Sequence, residues 1–526
     1  MRQAEVIALL LMVVVTLVVI ARKFAVPYPV LLVLSGLGLS FIPGLPVVKL
    51  NPDLVLFFFL PALLYPVALM TSWRDFRQNL RPILLLAIGL VLITTFAVGW
   101  MAHAFVPGLP WAAAFALGAI VSPPDAVAAT AVLERLSVPR RIGAILEGES
   151  LVNDATALVT LQFAVAALMT GTFSPTQAAI KFVWVAAGGI GFGLLVGFVI
   201  RSVHRRLDDP TVQITISLLT PFAAYLPAER LHFSGVLATV AAGIFLGWHA
   251  PLVVRARMRL QSQAFWEMVV FLLNGLVFIV IGLQLPSILN SLTGVSRWQL
   301  GKQALAISVT VVLVRIIWVF PAAYLPRLLS RRIRAREPLP SWRNVTIIAW
   351  SGMRGVVSLA AAFALPLALN QDTPFPGRSY ILFLTFCVIL TTLVFQGLTL
   401  PVLIRSLGVK DDGATDEEER LARLEANKAA IEFLERAALD CGISDQIVGR
   451  LRVEYDDRIE QLKLCCESLG DRSGGIATFD YQKLQQRALD EERRTIIRLR
   501  NEQTINDDAL RRIQRDLDLA EARLTG

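Results

Sequence analysis

Cysteine and histidine are scarce, four of each in 526 residues. Cys441, Cys465 and Cys466 have no histidine near them, so the chain offers no zinc spacing. These three fall in the C-terminal segment, which the charge pattern described below places in the reducing cytosol, and Cys387 stands alone. Acids are thinnest where the chain is most apolar. Residues 1–405 carry 14 Asp and Glu against 30 Lys and Arg, whereas residues 406–526 carry 27 against 20. A leader cleavage site is also missing. Arg2 is offset by Glu5, and the apolar run 6–20 ends in Ala21-Arg22-Lys23 rather than in small residues. That is the pattern of a retained first span with its positive flank inside. Nucleic acid is not an expected partner despite the net charge of +9, because the basic excess sits in short loops between apolar runs.

What is present is apolar. Hydrophobic residues make up 55% of the chain, and mean hydropathy is +0.61, well above a soluble globular protein. Windows of about 20 apolar residues, long enough for a hydrocarbon core of roughly 30 Å, recur as far as residue 405. They predict spans near 4–21, 27–48, 53–70, 82–105, 110–133, 141–170, 177–200, 211–228, 233–250, 264–285, 302–326, 343–369 and 379–405. The expected fold is an all-α polytopic membrane protein of about 13 transmembrane helices (1–405) with a charged, mostly helical cytosolic tail (406–526). Loop charges test the count independently. Alternate loops, starting with Arg22 and Lys23, hold 20 basic residues, and the other six hold only Lys49, Lys181, Arg230, Arg297, Lys302 and Arg378. By the positive-inside rule the N-terminus lies outside and the tail inside.

Within the spans, the remaining cations are Arg315 and Arg354, and the acids well inside are Asp125, Glu147, Glu149 and Asp154. Such charges are costly in hydrocarbon and seldom stand without a partner or a task. In the fifth span Ser122-Pro123-Pro124-Asp125 interrupts the helix, since each proline removes an amide donor and clashes with the preceding turn. Freed carbonyls are tolerated at that depth only where protein or a water-filled cavity meets them. A carboxylate beside them forms an oxygen cradle suited to an alkali cation. Seven spans later Ser351-Gly352-Met353-Arg354-Gly355 interrupts the twelfth. Breaks at corresponding positions predict two inverted six-helix repeats with crossed broken helices, joined by the seventh span, and a secondary transporter's site. Arg354 is expected to neutralise the half-helix ends that meet there.

The sixth span reads Glu147-Gly148-Glu149-Ser150-Leu151-Val152-Asn153-Asp154. Glu147, Ser150 and Asp154 share one helix face, while Glu149 and Asn153 form an adjacent stripe. At 1.5 Å per residue Asp154 lies roughly 20 Å into the membrane, near its middle, and Arg315 reaches a similar depth. A buried ion pair between Glu149 and Arg315 is the least costly way to keep both.

These segments (122–128, 148–154 and 350–355) resemble the signatures of the monovalent cation:proton antiporter-1 family, and the likeness extends over residues 1–405. The resemblance implies that Asp154 alternately binds cation and proton, with Asn153 before it. Asp125 and the carbonyl of Pro124 would complete the cradle, Ser150 would add an oxygen, and Glu149 would pair with Arg315. Glu147 and Ser122 are possible accessory groups. It further implies a homodimer in a bacterial inner membrane that exchanges Na⁺, or alternatively K⁺, for H⁺, with no resident cofactor. The Asn-Asp pair at 153–154 resembles electroneutral members, those with two adjacent Asp being electrogenic. Two departures stand out. Pro66 replaces a Glu common in the family, and Pro124 stands where some relatives have Thr. Rival chemistries fit less well. An intramembrane aspartyl protease usually sets its Asp in a Gly-x-Gly-Asp context, a channel wants a ring-like filter, and anion transport needs more mid-membrane cations than Arg315 and Arg354.

Overall fold

The computed structural model describes residues 3–467 apart from 24–26, 43–51, 134–135, 137, 173, 255, 291, 293–295, 338, 371–372, 410–412 and 442–444, with isolated residues beyond 467. The membrane part opens with three shorter apolar helices, α1 (Gln3–Lys23), α2 (Tyr28–Leu39) and α3 (Val55–Met70). Then follow α4 (Leu80–Phe105), α5 (Trp111–Leu133), α6 (Arg140–Thr170), α7 (Pro175–His204), α8 (Pro210–Arg230), α9 (Gly235–Val253), α10 (Met258–Asn290) and α11 (Arg297–Leu329). The twelfth, α12, is two half-helices, Trp342–Trp350 and Val356–Phe363, and α13 is Arg378–Leu407. Among the described residues nine helices, α4–α11 and α13, are long and apolar enough to cross a membrane, and the first eight of these follow one another through short connections.

The helices pack in sets that follow the repeat. α4, α5 and α6 lie together, as do α11, α12 and α13, and the first half of α5 touches the second half of α12. A separate set of α3, α7, α8 and α9 packs tightly, and α1, α2 and α10 form another group. Close approach in the α7–α9 pair needs small residues. Gly189, Gly193 and Gly197 recur every four positions on α7, and a Cβ on Gly193 would run into the backbone of Ala238.

Local chemistry explains the ends. Asp209 caps α8 by accepting from Thr211 N at 2.8 Å, and Ser234 caps α9 by accepting from Leu237 N at 3.2 Å. Between them the chain reverses through His232, whose φ is 60°. Pro227, Glu229, Arg230 and His232, which interrupt a nearly continuous apolar stretch in the sequence, thus mark the place where two helices separate, although Pro227, Glu229 and Arg230 still belong to α8. Several boundaries depart from hydropathy. The helix of the predicted span 27–48 ends at Leu39. The predicted span 343–369 ends its helix at Phe363, because Pro366 cannot continue it, and Ala368–Asn370 instead pairs antiparallel with Thr373–Pro374. The helix containing α10 starts at Ala256 rather than 264, since polar residues such as Arg259 and Gln263 extend it beyond the apolar window.

Residues Met1–Asp411 form one compact unit and Asp412–Gly526 another. In the second, α14 (Ala414–Cys441) and α15 (Asp445–Glu467) pack together, with Arg452 3.0 Å from Glu435. Gly470–Gly475, whose glycines read as a flexible break in the tail, lie outside the described residues, as does most of 505–524.

Candidate functional site

The fifth span is broken where the two prolines predict. Its first half ends at Val121, residues 122–125 leave the helix, and Ala126–Leu133 resumes it. Asp125 sits at the restart, its Oδ1 accepting from Val127 N at 2.9 Å, and Ser150 Oγ accepts from Ala126 N at 3.4 Å. The freed amides at this half-helix start are therefore met by oxygens that carry, or lean toward, negative charge.

The twelfth span breaks at Ser351 and restarts at Val356, and the two breaks touch. Asp125 N donates to Met353 O at 2.7 Å. Arg354 is fully buried and donates through Nε to Val121 O at 3.0 Å and through Nη2 to Ser122 O at 3.4 Å, while Nη1 donates to Gly352 O. Its own amide donates to Thr392 Oγ1 at 3.1 Å on α13. Arg354 thus meets the carbonyls that end the first half of α5, and does not pair with Asp125. Gly355 must lack a side chain, because a Cβ there would collide with the Asp125 carboxylate.

α6 divides its polar residues between two faces, as its spacing requires. Glu147, Ser150 and Asp154 line a cavity of about 340 Å³ together with Pro123, Pro124 and Asp125. Asn153, on the adjacent stripe, donates from Nδ2 to the Pro124 carbonyl at 3.0 Å, and its buried Oδ1 has no hydrogen-bond partner. Asp154 is 6% exposed and accepts no hydrogen bond among the described residues, so its oxygens stand ready for a ligand or a proton. Ser122 is buried and donates to Ala119 O at 2.9 Å, a local bond at the helix end.

Glu149 turns away from the cavity. Its two oxygens meet Arg315 Nη1 and Nη2 at 2.6 and 2.9 Å, with both side chains fully buried. Arg315 Nε and Nη2 also donate to Ile348 O at 3.2 and 3.0 Å. One guanidinium therefore joins α11, α6 and the first half of α12.

The cavity has further polar walls that sequence spacing does not single out. Asn274 and Glu267 of α10 line it, as does Ser358, whose buried Oγ has no partner. A lone amide in the middle of the apolar α10 was the available signal for Asn274. Pro66 also lines the cavity, so the departure from a family Glu falls on its wall. A second cavity, lined by Arg140, Asp75 and Ser72, shares Met70, Thr130 and Glu147 with the first. Those shared walls lead from the carboxylates toward the arginine-rich end of the bundle.

Residues 8–406 match the family model described as sodium/hydrogen exchanger, transmembrane. An uncharacterised Na(+)/H(+) exchanger of Mycobacterium tuberculosis is 37% identical over 96% of this chain and 93% of its own. The sodium, potassium, lithium and rubidium/H(+) antiporter of Bacillus subtilis is 38% identical over 76% of this chain and 61% of its own. The solved sodium proton antiporter MjNhaP1 of Methanocaldococcus jannaschii superposes with a TM-score of 0.59 at 21% identity, covering 76% of this chain and all of that one. At that identity the likeness speaks for the fold, which is the antiporter fold of crossed, broken helices. With broken helices crossing beside two cavity-facing carboxylates, and a family match over nearly all of its membrane part, this chain belongs to the sodium/hydrogen exchanger family.

Proposed function

We propose that the protein exchanges a monovalent cation, Na⁺ in the first place, for protons by alternating access at Asp154 and Asp125. The observation that carries this is the pairing of Asp125 and Asp154 on one cavity wall, beside a helix break that Asn153 holds open through the Pro124 carbonyl. Unwound backbone carbonyls at half-helix ends coordinate Na⁺ or H⁺ in broken-helix transporters, and the two carboxylates beside them add the negative charge that favours a cation. A proton on Asp154 removes the charge that a cation needs, so the two cargoes exclude each other. Asp125, tied to Val127 N, stays ionised and contributes a fixed oxygen. Asn153 cannot carry a proton, so one group cycles and one proton leaves per cation, with no net charge moved. No resident cofactor is required.

K⁺ is the second reading. Pro66 on the cavity wall leaves one carboxylate fewer than many relatives have, and the Bacillus subtilis relative is named for potassium as well as sodium. We place the N-terminus outside and the tail in the cytosol of a bacterial inner membrane, on the strength of the loop charges. A homodimer fits the broad apolar face of α7, where Ile180, Trp184, Leu195 and Phe198 are exposed. The test is purified protein in liposomes with an internal pH dye, challenged in turn with Na⁺, K⁺ and Li⁺. Proton efflux on addition of at least one cation is expected, and silence to all three refutes the proposal.

A further inference from the structure

The ion cavity has a neighbour that exchange does not use. A cavity of about 340 Å³ lies among α3, α7, α8, α9 and α10. Its polar wall holds Arg201 and His204 from the last turn of α7, His249 of α9, and Arg259 and Ser262 from the start of α10. No Asp or Glu among the described residues lines it. His204 is only 7% exposed, yet its Nδ1 has no hydrogen-bond partner, and the buried Nε of Arg201 has none either. Buried groups left unpaired in this way are costly, and here two cluster in one place with their unmet bonds. Arg259 spends one N–H on Val254 O at 2.7 Å and keeps the rest of its donors. Apart from Tyr65, Ser217 and Gln263 the remaining wall, including Leu246, Val253 and Trp266, is apolar.

A basic end and an apolar body match a molecule built the same way. We propose that this cavity binds an anionic phospholipid, its phosphate held by Arg201, Arg259 and His204 and an acyl chain laid along the apolar wall. The cavity opens among the arginine-rich loops, at the level where lipid headgroups gather, and arginine suits phosphate through its forked donors. Met70 and Trp266 line both this cavity and the ion cavity, so a bound lipid braces the helices that border the carboxylates. The proposal stands apart from the ion-exchange reading and does not need it.

The test uses full-length protein, stripped of lipid in detergent. Its melting temperature is followed with phosphatidylglycerol, with phosphatidylcholine of the same chains, and with inorganic phosphate. Phosphatidylglycerol is expected to raise it by several degrees and the other two to leave it unchanged. The double variant Arg201→Gln/Arg259→Gln loses the rise, whereas Arg331→Gln/Arg332→Gln, which removes equal charge from the exposed start of the short helix Arg331–Arg336, keeps it. A rise retained by the first variant, lost equally by the second, or matched by phosphatidylcholine overturns the site. A full rise with inorganic phosphate alone overturns the lipid in favour of a free anion. Should the first variant not fold, native mass spectrometry of the unmodified protein decides: selective retention of phosphatidylglycerol supports the site, and equal retention of both lipids overturns it.

Discussion

Removing the charge of Glu149 separates scaffold from ion site more sharply than any other single change. Glu149 and Arg315 are both 0% exposed, and the guanidinium has just two acceptors, the Glu149 carboxylate and the Ile348 carbonyl. In Glu149→Gln one carboxylate oxygen becomes an amide NH₂ that faces an N–H donor of Arg315. The cation then keeps one good acceptor on α6 and a carbonyl on α12, with no counter-charge. Breaking a buried pair from one side typically costs roughly 3–5 kcal/mol. Asp125→Asn is the internal control. Its oxygen can still accept from Val127 N, so only a helix-start charge of about 0.3–1 kcal/mol is lost. Thermal unfolding of detergent-purified protein, followed by size-exclusion of the heated samples, should therefore show a much larger drop for Glu149→Gln. Adding Arg315→Met removes the stranded cation, so the double variant should be more stable than the sum of the single losses, by up to about 3 kcal/mol of coupling. An unchanged or higher melting temperature for Glu149→Gln, or a strictly additive double variant, would refute the argument.

Asp154→Asn keeps shape and folding but removes the titrating charge, and should abolish exchange in liposomes while the melting temperature holds. Exchange near the unmodified rate would remove Asp154 from its role. Gly355→Ala drives a methyl group into the Asp125 carboxylate and should raise the cation concentration needed for half-maximal exchange several-fold, with Gly38→Ala, whose added Cβ meets open space, as the silent comparison. Equal cation dependence in the two variants would show that the close approach is unimportant. For stoichiometry, flux under set pH and Na⁺ gradients, with voltage clamped by valinomycin and K⁺, should reverse where the two gradients are equal at any voltage. A reversal point that moves with voltage rejects one-for-one exchange.

Much of the membrane part was legible because its signals are physical necessities. Two adjacent prolines in an apolar span must break it, and Ser122–Asp125 do so; three polar residues at helical spacing must share a face, and Glu147, Ser150 and Asp154 open on one cavity. Charge scarcity made the Glu149–Arg315 pair readable too, since few other partners existed at that depth. What hydropathy could not give is where one broken helix meets another. The bond from Asp125 N to Met353 O joins residues far apart in sequence, and no periodicity encodes it. Arg354 is a second such case: it reaches the carbonyls of Val121 and Ser122, which end the first half of α5, and no spacing names those two as its acceptors. Ser358 and Glu267 escaped notice for a third reason, because their position on the cavity depends on how α10 and α12 rotate about their axes.

The stitching of the two breaks limits how the molecule can switch sides. The bond from Asp125 N to Met353 O and the reach of Arg354 to Val121 O and Ser122 O tie both interrupted helices together, and Arg315 ties α6 and α11 to the same body. Pulling those helices past one another would strand a guanidinium and several carbonyls at mid-membrane, so they travel as a single passenger. The sliding surface must then lie across the ion cavity, where the wall on the α3 side is largely apolar and makes few directional bonds. A passenger that keeps its oxygens in place presents the same grip to the cation from either side. Such a device has no preferred direction of its own, and the gradients alone decide which cargo leaves.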